Sequence, residues 1–259
     1  MDDLDFNQFI WNVKRKTGID LSLYKRQQMK RRLTTLRKKR GYDTFAAFYD
    51  AMLADRMLYA EFLDRMTINV SEFWRNPTRW EVLYDRLLPE LAKRTHRLTC
   101  WSAACATGEE PYSLAMILDQ LRLLPQAEII ASDLDAGVLA KAHEGIYNER
   151  AIRDLPHTFI RTYTQQKDSL IHIQKKIKQA VRFEKLNLLA DSFRSNYFDL
   201  IICRNVLIYF TDEAKELIYR KFADSLKQGG LLFVGSTEQM FSPERYGFET
   251  ADTFFYRKL

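Results

Sequence analysis

Apolar residues recur at three- and four-residue spacing from Asp5 to about Ala92, a pattern that predicts amphipathic helices. Phe6, Phe9, Ile10 and Val13 share one face, and Gly18 breaks the run. Between Tyr24 and Lys39 a stripe of Met29, Leu33 and Leu36 lies among lysines and arginines, and Gly41 stops it. Asp43-Thr44 can cap the next helix, which carries Phe45, Phe48, Met52 and Leu53. Asn76-Pro77 reads as a capped restart, because proline fits the first helical turn; Trp80, Leu83, Leu87 and Leu91 follow.

Beyond Arg97 short apolar runs alternate with helical stretches. Strands are expected at 98–102, 128–132, 181–185, 198–203, 231–236 and 253–258, with helices at 112–123, 135–143 and 212–226. Such alternation predicts an α/β fold with a parallel sheet covered on both faces. The run Lys227-Gln228-Gly229-Gly230 is expected to end a helix, and 248–259 to form a hairpin turning at Thr250-Ala251-Asp252. About forty residues, from Ile146 to Lys185, exceed a plain connection. Apolar runs at 169–173 and 177–183 predict a small antiparallel β insertion there.

Composition narrows this only where it departs from the ordinary. The 259 residues are 46% hydrophobic, enough for one large α/β domain or a smaller one plus an appendage. No apolar run is long enough to span a membrane, and the acidic start Met1-Asp2-Asp3-Leu4-Asp5 is unlike a signal peptide, so a cytoplasmic protein is expected. Cys100, Cys105 and Cys203 lack CxxC spacing, and His96, His143, His157 and His172 fit no zinc pattern, so no metal is assigned. The net charge of +6 conceals an asymmetry: from Lys14 to Arg40 there are 12 basic residues and one acid, leaving the remainder at −5. That segment is either a solvated helix face or a surface for an acidic partner.

The most informative stretch is CWSAACATGEEPYS, 100–113, a strand that stops at a tight turn and feeds a helix. Gly108 permits the sharp turn, while Glu109 and Glu110 sit where a helix dipole favours negative charge. The turn lacks a P-loop lysine, and its acidity suits a cofactor with hydroxyls and positive charge, such as S-adenosylmethionine; plain helix capping is the bland alternative. Asp133, at the end of the next strand, is placed to take ribose hydroxyls. A second site lies at FDLIICRNVLIYF, 198–210, where a buried strand ends in Arg204-Asn205, with Tyr209 nearby. A buried arginine there requires an acidic partner or an anionic ligand. TINVSEFWRNP, 67–77, fits a hinge or a pocket wall, and Asn187-Leu188 is equally ambiguous from its residues alone.

Together TINVSEFWRNP, WSAACATGEEPYS (101–113), ASDLD (131–135), NLL (187–189) and CRNVLIYF (203–210) strongly resemble the CheR-type chemotaxis receptor (protein-glutamate) O-methyltransferases, over nearly the whole chain. The resemblance implies a class I S-adenosylmethionine-dependent methyltransferase (Rossmann-like) domain with a small antiparallel β insertion, preceded by a small all-α domain. The boundaries expected are 1–75 for the basic, receptor-recognising helices and 76–259 for the methyltransferase domain, with the insertion at about 146–185. It implies that methyl groups pass from S-adenosylmethionine to glutamate γ-carboxylates of chemoreceptor cytoplasmic helices in bacterial adaptation, leaving S-adenosylhomocysteine.

The same resemblance carries roles onto matching positions. Glu110 and Asp133 match acids that hold the cofactor, Asp133 on the ribose side, and Asn187 and Leu188 match adenine-proximal positions. Asn69 and Ser71 match contacts from the domain junction, although the family more often has threonine at Ser71. Arg75 matches an arginine between the cofactor's methionine end and the acceptor. Arg204, Asn205 and Tyr209 match the segment closing the site, with Tyr209 near the point of transfer. The basic helix from Lys25 to Arg40 is then expected along the receptor's glutamate-rich helix. Some members bind a receptor C-terminal pentapeptide through glycine-rich turns in the β insertion. Residues 162–169 lack glycine, so independence of that tether is expected. Nothing calls for a dimer, so a monomer is expected. The competing readings are a nucleic-acid methyltransferase gripping phosphates with its basic helices, and a non-catalytic sensor.

Overall fold

The computed structural model describes residues 2–259. Helices α1 (Asp2–Thr17), α2 (Arg26–Lys39), α3 (Phe45–Ala54) and α4 (Arg56–Thr67) form the helical unit. Their apolar stripes meet in an aromatic cluster, with the Phe9 ring 5.2 Å from Phe45 and 6.0 Å from both Phe48 and Phe62. Local chemistry sets where the helices start. Thr44 caps α3 by accepting from the Ala47 N–H, and the Asp5 carboxylate of α1 accepts from the Phe45 and Ala46 N–H groups.

Helices α5 (Pro77–Val82) and α6 (Leu88–Ala92) are joined by a wide π turn at Leu83–Leu87. Then follow β1 (Leu98–Ala103), α7 (Glu109–Gln120), β2 (Ala127–Asp133), α8 (Ala136–Glu144), β3 (Ile146–Asn148) and α9 (His157–Tyr163). Next come β4 (Thr164–Lys167), β5 (Leu170–Ile173), α10 (Lys175–Gln179), β6 (Val181–Lys185), β7 (Phe198–Cys203) and α11 (Asp212–Ser225). The chain ends with β8 (Leu226–Val234), β9 (Phe248–Asp252) and β10 (Phe255–Lys258).

Seven strands make one sheet in the order β6-β2-β1-β7-β8-β10-β9. The first five are parallel and β10 is antiparallel to both neighbours. The chain leaves β1 toward β2 and β6, then returns to β7 on the other side, so the order reverses between β1 and β7. Open α/β sheets bind ligands at the carboxyl ends of strands at such a point. Alternation along the strands divides the core: Trp101, Ala103, Ile201 and Cys203 face the cluster that includes the four helices, while Cys100, Leu200 and Ile202 face α5 to α7 and the insertion. One face of the sheet thus continues directly into the helical unit.

Three local expectations are corrected. Residues 227–230 do not end a helix: α11 stops at Ser225, and Leu226 already pairs with Phe198 in a strand that bulges before Leu231, with Gly229 at φ +74°. The last hairpin turns at Thr253-Phe254 rather than 250–252, with Phe255 pairing Asp252. The insertion is a three-stranded sheet, β3-β5-β4, with α9 and α10, and it is shorter than 146–185. The apolar run at 177–183 splits, since Ile177 is the buried residue of α10 and Val181–Lys185 pairs with β2 in the main sheet. Among the described residues, no helix is long and apolar enough to cross a membrane.

Phe9 lies at the centre of the aromatic cluster. Phe9→Ala should therefore cost about 3–5 kcal/mol of unfolding free energy, seen as a lowered urea midpoint with an unchanged slope.

Candidate functional site

The cleft at the switch point and the open solvent at its mouth together take up about 950 Å³. Stretches far apart in sequence line it: the junction after α4, the turns after β1, β2 and β6, and the segment after β7. Asn69, Ser71, Arg75, Glu110, Asp133, Asn187, Leu188, Arg204, Asn205 and Tyr209 all lie on its wall.

The turn after β1 is held by unusual backbone. Ala104 and Ala106 have φ +61° and +47°, and Gly108 has φ +95°. A side chain at Gly108 would meet the Ala142 Cβ at 3.0 Å, so the position needs both glycine's conformation and its size. Gly108 is the N-cap of α7, which places Glu109 and Glu110 in the first turn. Glu109 turns inward and accepts from Thr107 Oγ1, whereas Glu110 keeps one side open to the cleft and accepts from Ser102 Oγ at 2.7 Å. The protein enclosing Glu110 raises its carboxyl to about 7, against the opposing pull of Arg204 and Arg75. Asp133, at the end of β2, is buried and accepts from the Ala106 N–H at 2.9 Å and the Asp135 N–H at 3.0 Å. Burial also raises its carboxyl, more than those hydrogen bonds lower it.

Arg204 leaves the end of β7 beneath the junction. Its guanidinium donates to the Arg75 carbonyl at 2.8 Å and to Asn76 Oδ1 at 2.6 Å, and lies 4.7 Å from the Phe233 ring centre. Among the described residues no carboxylate comes within 4.0 Å of it, so the expected acidic partner is not a direct one. Glu110 and Glu238 act on it at longer range. The buried Arg204 Nε has no hydrogen-bond partner. Asn76 is held at φ +62° and caps nothing with its side chain, which receives Arg204 instead. Asn69 Nδ2 reaches Asp135 Oδ2 at 3.3 Å, tying the junction to the turn after β2.

Two residues that matter here escaped sequence reasoning. Glu238 is buried, and its carboxylate accepts from the N–H groups of Asn205 at 2.6 Å, Leu207 at 2.7 Å, Ile208 at 3.3 Å and Gly235 at 2.8 Å. It fixes Asn205 at φ +61° and so aims the segment that carries Asn205 and Tyr209. A side chain at Gly235 would lie 2.4 Å from Glu238 Oε2, so only glycine leaves room for this grip. The detectable signal was an acid three residues beyond a strand-ending glycine. Tyr24, from the helical unit, is the second, and it lines the cleft. It forms a one-rung antiparallel bridge with Phe210, and the Lys25 N–H donates to the Tyr209 carbonyl at 2.8 Å. Among the described residues, no group of three or more His, Cys, Asp or Glu is arranged to hold a metal.

The cleft therefore offers two enclosed carboxylates and two arginines, groups suited to an amino-acid zwitterion joined to a ribose. Comparison with known proteins agrees. The family described as "CheR methyltransferase, all-alpha domain" matches residues 4–67, and "CheR methyltransferase, SAM binding domain" matches residues 69–255. Chemotaxis protein methyltransferases of Listeria innocua and Listeria monocytogenes are each 43% identical over 255 residues, covering 98% of this chain and 97% of theirs. That of Escherichia coli is 32% identical over 254 residues, covering 95% of this chain and 87% of its own. With its helices matched by one family domain and its sheet and cleft by the other, the chain belongs to the CheR methyltransferase family.

Proposed function

We propose that this protein transfers methyl groups from S-adenosylmethionine to glutamate γ-carboxylates on the cytoplasmic helices of chemoreceptors, leaving methyl esters. The observation that carries the reading is the convergence of all ten family-matched residues on one cleft at the switch point. Membership of the family gives the nucleic-acid alternative no support.

When bound, S-adenosylmethionine supplies a methyl group activated by a sulfonium. Glu110 and Asp133 take the ammonium and the ribose hydroxyls, and Asn187 and Leu188 border the adenine. Asn69 and Ser71 contact the cofactor from the junction, while Arg204 and Asn205 close the site. Arg75 and Tyr209 align the acceptor carboxylate. That carboxylate is already ionised near pH 7, so transfer needs no general base, and catalysis rests on orientation and exclusion of water.

Acceptor recognition falls to α2. Arg26 and Lys30 pair with Asp3, Lys39 and Arg40 with Glu61, and Arg37 is buried against the Asp43 carbonyl. Arg31, Thr34, Thr35 and Lys38 remain as an outward face for a glutamate-rich helix. The β insertion turns between β4 and β5 through Asp168-Ser169 alone, which leaves little loop to grip a receptor pentapeptide. The enzyme acts in the cytoplasm as a monomer.

Incubation with radiolabelled S-adenosylmethionine and a purified chemoreceptor cytoplasmic domain tests the reading. Alkali-labile label on receptor glutamates is expected; label on RNA, or cofactor binding without transfer, would sink it. Removing the receptor's last five residues should leave the rate unchanged, measured as initial velocity at subsaturating receptor. Arg75→Ala should lower turnover about 100-fold while changing S-adenosylhomocysteine affinity, read by calorimetry, far less.

Glu110 gives a pH test. Its carboxyl must lose a proton to hold a cation, so affinity for S-adenosylhomocysteine should fall as pH drops below about 7. The loss should approach tenfold per pH unit and flatten in Glu110→Gln. Stability of the ligand-free protein runs the other way. Because the folded pKa is raised, this group's contribution is fully present below the ordinary glutamate range and is lost as pH rises through about 7. The melting difference between wild type and Glu110→Gln should shift accordingly between about pH 5 and pH 7.

A further inference from the structure

The Tyr24 side chain is buried to 7% exposure, yet its hydroxyl makes no hydrogen bond with any described residue. The hydroxyl is not sealed in the core: it is absent from the buried atoms without partners, and the residue lines the cleft alongside Asp133, Leu134 and Asn187. The ring is locked, standing edge-on to Phe210 with centroids 4.9 Å apart, while the backbone bridges to the same residue. Burial and the nearby Asp133 charge both push the phenol's ionisation upward, so it remains a neutral O–H. A rigid hydroxyl with no protein partner that opens only on the cleft is placed to donate its hydrogen bond to whatever fills it, with water in that place when the cleft is empty.

We infer that Tyr24 is a donor-site residue supplied by the helical unit, its hydroxyl hydrogen-bonding the adenosine portion of S-adenosylmethionine beside Asp133. The inference rests on the reading of the cleft given above, with Asp133 at the ribose end. It makes the donor site a joint product of the helices and the sheet. The residue that completes it is adjacent to Lys25, whose N–H holds the Tyr209 carbonyl.

The test is calorimetric titration of the full-length protein and its Tyr24→Phe variant, which keeps the ring and its packing, with S-adenosylhomocysteine and with 5′-methylthioadenosine. The variant should bind both ligands about three- to tenfold more weakly, while its ligand-free melting midpoint stays that of the wild type. Equal affinities would overturn the inference, as would a penalty seen with S-adenosylhomocysteine but not with methylthioadenosine, which would put the hydroxyl at the amino-acid end. A weaker affinity matched by lost ligand-free stability would assign Tyr24 a structural role instead. Failure of the wild type to bind either ligand would overturn the reading of the cleft itself, and this inference with it.

Discussion

The Glu238 carboxylate is the common acceptor of four backbone N–H groups, three of them from the segment that follows β7. A carboxylate buried without a cation at contact distance is costly, and only convergent N–H dipoles make it tolerable. Here they also do positional work. The chain must run Asn205 through a left-handed conformation and then tighten into one short turn ending at Tyr209, and the carboxylate holds both features at once. Arg204 at one end of the segment and Phe210 at the other inherit their places from it. Through Phe210 and Tyr209 the helical unit inherits its place as well.

Strained backbone is concentrated around the same cleft. Ile68, Trp74, Asn76, Ala104, Ala106 and Asn205 all have positive φ, and for a β-branched residue such as Ile68 this is a costly conformation. Each lies in the junction, in the turn after β1 or in the segment after β7, where side chains or backbone groups must converge on one volume. The surrounding packing sustains them: Trp74 stacks on Trp80 with centroids 5.8 Å apart, and its N–H donates to the buried Ser113 hydroxyl. Stability from the aromatic and sheet cores thus offsets the strain that shapes the site.

Most of the architecture was legible because it rests on periodicity. The strand at 198–203 was readable to the residue, since an apolar run interrupted only by Asp199 and ending at Arg204 leaves little choice; 181–185 showed instead as alternation of apolar and charged residues. The glycine pair at 229–230 misled because glycine marks both helix ends and bulges, and only the pairing of Leu226 with Phe198 decides between them. The site was legible where motifs carried it, at Glu110, Asp133 and Arg204. Glu238 and Tyr24 were not, for a shared reason: each acts through a neighbour brought near only by folding. Glu238 acts on backbone N–H groups, and its one trace in the sequence is an acid three residues beyond a strand-ending glycine. Tyr24 speaks through a single bridge between segments nearly two hundred residues apart, and reads locally as one more apolar residue.

Helix α2 has two faces under unlike obligations. Its inner stripe and the adjoining Tyr24-Lys25 backbone are pinned to the sheet, the cleft and one another. Among the described residues, the side chains of its outer face, Arg31, Thr34, Thr35 and Lys38, hydrogen-bond to no other element. Substitutions there leave the core intact, so that face can change without disturbing the cleft. The fold thus keeps a surface that is free to vary within one helix turn of a stripe that is not.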